Sequence, residues 1–150
     1  MFQHTSDLEA VKRHFENDRF AATSGMRLLE LRAGAAKASL TIEDRHLNSV
    51  GIVQGGAIFT LADLTFAMAC NSGGHVAVAI ATKLAFLKAT RSGTLHAEAI
   101  EVARSKRIST CTVRVTNDAG ELVALFQGTA YIKDEQFPPH GAGIGTGVLA

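Results

Sequence analysis

Apolar residues recur along the chain with two different periods, and each change of period marks an element. Leu8, Val11 and Phe15 stand at helical spacing in SDLEAVKRHFENDRF, and Ser6 or Asp7 can cap the start, so an amphipathic helix is predicted over about residues 6–20. Gly25 then interrupts, and MRLLELR at 26–32 reads as a short strand. After Gly34, the apolar Ala36, Ala38, Leu40 and Ile42 alternate with Lys37, Ser39, Thr41 and Glu43, the signature of a half-buried strand paired with its predecessor. Residues 44–54 read as loop. From Gly55 to Asn71 the segment GGAIFTLADLTFAMACN is apolar on nearly every helical face and must be buried on nearly every face, until Ser72, Gly73 and Gly74 stop it. Four strand-like stretches follow at 76–88, 94–104, 107–117 and 121–132, separated by turn signals such as Arg91-Ser92-Gly93 and Asn117-Asp118-Ala119-Gly120. The short connections favour antiparallel hairpins. A six-stranded sheet encloses such a helix only by curling around it, so the predicted class is α+β, a curved antiparallel sheet wrapped on a long central helix at about 55–71.

The length of 150 residues suits one domain, expected over 1–136, with a flexible tail at 137–150 whose glycines lack phosphate-loop spacing. A formal charge of +1 and the absence of tryptophan argue against nucleic acid as a partner. Gln54, Gly55, Gly56 and Asp63 break the longest apolar run, which therefore does not read as a membrane span, and no signal peptide is expected. Cys70 and Cys111, far apart in the chain, make no disulfide framework, which points to the cytoplasm. The six histidines show no paired metal spacing, and no serine nucleophile elbow is present, so no metal is expected.

Candidate chemistry centres on the long helix. Asp63 lies among apolar neighbours, where an unpaired carboxylate is costly or shifts its pKa. It either serves a chemical purpose or caps a second, shorter helix beginning near Leu64. The absence of Gly or Pro within 57–70 favours the first. Gly55 and Gly56 open the helix, where unpaired backbone N–H groups and the helix dipole can stabilise an oxyanion; alternatively they simply form the turn. Gly55 and Asp63 are eight positions apart, about 12 Å along one helix axis. Two groups acting on one carbon must each lie within roughly 3 Å of it, so one helix cannot supply both. Two antiparallel copies related by a two-fold axis can.

The segment HLNSVGIVQGGAIFTLADLTFAMACNSGG at 46–74 resembles the signature of the phenylacetate-degradation (PaaI-like) hotdog-fold thioesterases. The match uses His46, Asn48, Gly51, Gly55, Gly56, Leu61, Ala62 and Asp63, and the likeness extends to about residue 133. The resemblance implies hydrolysis of acyl-CoA or aryl-CoA thioesters by a homo-oligomer, a dimer or a dimer of dimers. Coenzyme A would be part of the substrate, with no separate cofactor. It implies Asp63 as general base or nucleophile, the Gly55 N–H as polariser of the carbonyl, and Asn48 as the side chain that orients water or the acyl group. His46, Gln54, Gly56, Thr82, Lys88 and Arg91 are substrate-binding candidates, and Arg104, Lys106 and Arg107 are further candidates for the CoA phosphates. One position departs from the pattern: the histidine before the two glycines is Gln54, which hydrogen-bonds but cannot ionise. That departure keeps open a non-catalytic acyl-CoA binder on the same fold. A hydratase reading lacks the histidine it requires.

Overall fold

The computed structural model describes residues 5–137. The first helix begins at Thr5, so Ser6 and Asp7 fall inside it and neither is the expected cap before it; the tail beyond Phe137 lies outside the described residues. Two helices, α1 (Thr5–Glu16) and α2 (Arg19–Thr23), precede β1 (Met26–Arg32) and β2 (Ala35–Thr41). A short 3-10 turn (Asp44–His46) leads to α3 (Gly55–Asn71), and β3 (His75–Phe86), β4 (Thr94–Arg104), β5 (Ile108–Thr116) and β6 (Leu122–Gln136) complete the chain. The single helix expected at 6–20 is thus two helices. The Asp18 side chain accepts the Ala21 N–H at 2.9 Å and starts α2 afresh, which the apolar spacing of Leu8, Val11 and Phe15 does not reveal.

All six strands form one antiparallel sheet in the order β1-β2-β4-β5-β6-β3. Hairpins join β1 to β2, β4 to β5 and β5 to β6 as expected. The stretch after α3 does not hairpin onto β4. Instead β3 crosses to the far edge and pairs with β6, with Thr82 opposite Gly128. The result is the α+β hotdog architecture, with α3 packed against the concave face of the sheet.

The core forms between α3 and the inward positions of the strands. Leu61, Ala62, Thr65, Phe66, Met68, Ala69 and Cys70 on the helix meet Ala38, Leu40, Leu95, Ala99, Val113 and Phe126 on the sheet, all fully or almost fully buried. Alternation along β4 and β5 delivers these residues: Leu95, Ala97 and Ala99 are buried while His96, Glu98 and Ile100 are exposed. Gly128 is required by packing, since a Cβ there would come within 2.7 Å of the Phe66 ring.

Two surfaces remain uncovered. Along α3, Gly56 and Phe59 are exposed and Thr60, Asp63 and Ala67 are half-buried, a stripe at three- and four-residue spacing. The edge strand β3 is exposed over most of its length, with Val78, Ile80 and Phe86 at 41%, 59% and 59% accessibility. A long edge strand with apolar side chains invites pairing with another chain.

Candidate active site

The loop before α3 is held by its own polar side chains. His46 is buried: its Nδ1 accepts the Glu43 N–H at 2.9 Å and its Nε2 lies 2.7 Å from the Ser24 carbonyl, which fixes the proton on Nε2. The ring is therefore committed to tying the loop to the end of α2. Asn48 Oδ1 accepts from Val50 N at 3.0 Å and Ile52 N at 3.2 Å, an Asx-type turn. Its Nδ2 has no hydrogen-bond partner among the described residues. The Arg91 guanidinium donates to the Val50 and Gly51 carbonyls at 3.2 and 3.1 Å, so it braces the same loop from outside.

Gln54 caps α3. Its backbone is extended (φ −64°, ψ 136°), and its side-chain oxygen accepts the Gly56 N–H. The Gly55 N–H has no partner among the described residues. It borders a concavity of about 380 Å³ lined by Asn48, Val53, Ile58, Phe86, Lys88 and Thr90, among others. The Phe86 ring lies over Gly55, so a Cβ on that residue would stand 3.0 Å from its Cζ. Lys88 is paired with Glu121 at 2.8 Å. Thr90 is a site residue that sequence reading missed, because it sits in what reads as a turn. The residue lines the same concavity, and its buried hydroxyl has no hydrogen-bond partner among the described residues.

Asp63 is not part of this group. It lies within one unbroken helix from Gly55 to Asn71, which disposes of a second helix capped by Asp63. The carboxyl is half-buried on the open stripe, and burial, reinforced by the nearby Asp18, pushes its pKa above the usual carboxylate range. Thr82 stands on the exposed edge strand and does not line the concavity at Gly55. Arg104, Lys106 and Arg107 line a separate concavity of about 410 Å³ near the C-terminal end of α3, together with His75 and Lys133.

One chain thus brings together Gly55, Gly56, Gln54, Asn48, Lys88 and Thr90 at one end of α3 and leaves Asp63 two turns away. No helix among the described residues is long and apolar enough to cross a membrane.

Comparison with known proteins agrees with this architecture. The family model for the thioesterase superfamily matches residues 50–124. A protein of Archaeoglobus fulgidus is 40% identical over 134 residues, covering 88% of this chain and 87% of its own. The acyl-coenzyme A thioesterase PaaI of Escherichia coli is 35% identical over 118 residues, covering 78% of this chain and 84% of its own. The solved structure of E. coli PaaI superposes with a TM-score of 0.83 at 31% identity, over 87% of this chain and 96% of that one. A Streptococcus mutans protein solved with acetyl-CoA matches with a TM-score of 0.71 at 25% identity, over 74% of this chain and 90% of that one. The chain belongs to the thioesterase superfamily, in its PaaI-like hotdog branch.

Proposed function

We propose that this protein hydrolyses acyl-CoA or aryl-CoA thioesters at a site shared by two copies of the chain, one supplying Gly55 and the other Asp63. The observation that carries the reading is the separation of two incomplete halves on one straight helix. An unpaired N–H and a free amide lie at the glycine end, and a lone carboxylate lies eight residues on. Both halves lie on the uncovered side of α3, and the uncovered β3 edge beside them suits antiparallel pairing with a second β3. Such a pair sets the helices antiparallel and makes two equivalent sites.

At each site the thioester carbonyl would point at the Gly55 N–H, with the Asn48 Nδ2 as a second donor. Asp63 of the other copy would take a proton from water as the water oxygen bonds to the carbonyl carbon, or would attack that carbon itself. Collapse of the tetrahedral intermediate breaks the C–S bond and releases the CoA thiolate; on the second route the acyl group is left as a mixed anhydride on Asp63, which water then hydrolyses to the free acid. The raised pKa suits the first role, since a base works best when its affinity for protons approaches that of the medium. Gln54 serves here as a neutral cap: it occupies the Gly56 N–H and leaves that of Gly55 to the substrate. Antiparallel helices also bring the Arg104–Lys106–Arg107 concavity of one copy towards the glycine end of the other, a suitable place for the CoA phosphates. Phe86, Ile58 and Val53 make the acyl side apolar.

The test is a panel of short-chain, medium-chain and aromatic acyl-CoA thioesters assayed for thiol release. Asp63→Asn should lower kcat by a factor on the order of a hundred or more while leaving the fold intact. Acyl-CoA binding without thiol release by the wild type would instead mark a non-catalytic binder.

A further inference from the structure

The core contains a pair of thiols that hydrolysis does not use. Cys70, in the last turn of α3, and Cys111, on β5, lie 41 positions apart in sequence, yet their Sγ atoms are 3.3 Å apart and both residues are fully buried. They are the only cysteines in the chain. Ser109 brings its hydroxyl to 3.5 Å from the Cys70 sulfur and 4.0 Å from the Cys111 sulfur, and donates its proton to Glu101. Arg104 holds Glu101 at 2.8 Å and donates to the Cys70 carbonyl at 3.3 Å. Packing alone does not call for this chain of groups: two alanines or valines would fill the space with no hydroxyl, carboxylate or guanidinium in attendance.

We propose that Cys70 and Cys111 are an oxidisable dithiol that hydrogen peroxide closes to an intramolecular disulfide. The two sulfurs divide the chemistry. Either thiol can donate across the 3.3 Å contact; with Cys70 as donor, the contact pulls the Cys111 thiol below its usual pKa, while the same contact and burial push the Cys70 thiol up. The Cys111 thiolate attacks one peroxide oxygen, the O–O bond breaks, and hydroxide leaves with the proton that Cys111 had lost, as water. The Cys70 sulfur then attacks the sulfur of the resulting Cys111 sulfenic acid. The S–O bond breaks, the S–S bond forms, and the Cys70 proton departs with the oxygen as a second water. Two thiols are oxidised by two electrons and one peroxide is reduced.

Closure asks the sulfurs to approach by only roughly 1 Å, to the 2.05 Å of a disulfide. Both sulfurs are fully buried, so peroxide, close to water in size, reaches them through local opening of the packing beside the partly exposed Arg104–Glu101 pair. The bond would fasten the end of the helix that carries Asp63 to the middle of the sheet.

The experiment treats the reduced full-length protein, under native conditions, with excess hydrogen peroxide. Intact mass, free thiols counted in denaturant and circular dichroism are then followed. The expected result is joint loss of both thiols and a mass decrease of about 2 Da, for the two thiol hydrogens. Digestion should give one peptide pair linking Cys70 to Cys111, reversed by dithiothreitol. Non-reducing melts should shift up by about 5 °C or more, since the crosslink restricts the unfolded chain. Retention of both thiols, a mass gain of about 16 or 32 Da from added oxygen, or a link between chains would overturn the proposal. Cys70→Ser should abolish the mass decrease. Should that variant fail to fold, the wild-type mass and peptide map decide alone.

Discussion

The two ends of α3 are finished in opposite ways. At its C-terminal end the last turn is closed by its own side chains, with only the His75 Nδ1 just beyond it lacking a partner among the described residues. Asn71 donates to the Ala67 and Ala77 carbonyls at 2.7 and 3.2 Å and accepts from Ala77 N at 2.8 Å, and Ser72 bonds to the Ala69 carbonyl and to Gly34 N. At its N-terminal end Gln54 satisfies Gly56 alone, and the Gly55 N–H, the Asn48 amide and the Thr90 hydroxyl are left unused beside a cavity. Buried polar groups are normally paired, so the contrast separates an end built for stability from an end held ready for a ligand. Asp63, between them, belongs functionally with the open end but only through a second chain.

Substitutions at the two ends should therefore damage different properties. The largest effect is expected from Gly55→Pro. Proline is accepted at the first position of a helix, and the extended Gln54 backbone is what a residue before proline adopts, so the change removes the N–H and keeps α3, while the exposed Phe86 ring, which a Cβ here would meet at 3.0 Å, must turn aside. Steady-state thiol release should fall about 100- to 1000-fold in kcat, with the melting temperature nearly unchanged. Asn71→Ala should do the reverse. It strands buried backbone groups at the closed end and should cost about 3 kcal/mol in urea unfolding, with kcat per folded molecule retained.

The smallest effect concerns pH. Because the folded state raises the Asp63 pKa, it binds that proton more tightly than the unfolded chain does. The stabilisation is complete below the ordinary carboxylate value and is lost as pH rises through the raised one. Asp63→Asn should remove this slope, so the variant should melt slightly above the wild type at neutral pH and match it in acid. Melting curves across that range check the sign.

Much of this division is legible in the amino-acid sequence. The limits of α3 were legible because glycines bracket an apolar run too long for a strand, and β4 because its alternation is clean. The lone acid and the paired glycines stood out for the same reason: each breaks a pattern. What escaped depended on partners distant in sequence. The break at Asp18 hides in a run of helical spacing. The place of β3 at the far edge is fixed by pairing with β6 and not by the length of its connection to β4. The contact of Cys70 with Cys111, and the unpaired Thr90 hydroxyl, exist only once helix and sheet are packed.

The shared site is tested most directly by mixing two inactive proteins, Gly55→Pro and Asp63→Asn, under conditions that exchange subunits. If each site takes its glycine from one chain and its acid from the other, half the reassembled dimers are mixed and each has one intact site, so about a quarter of wild-type activity should return. Activity that stays at the level of the separate variants, with mixed dimers shown to be present, would contradict the account.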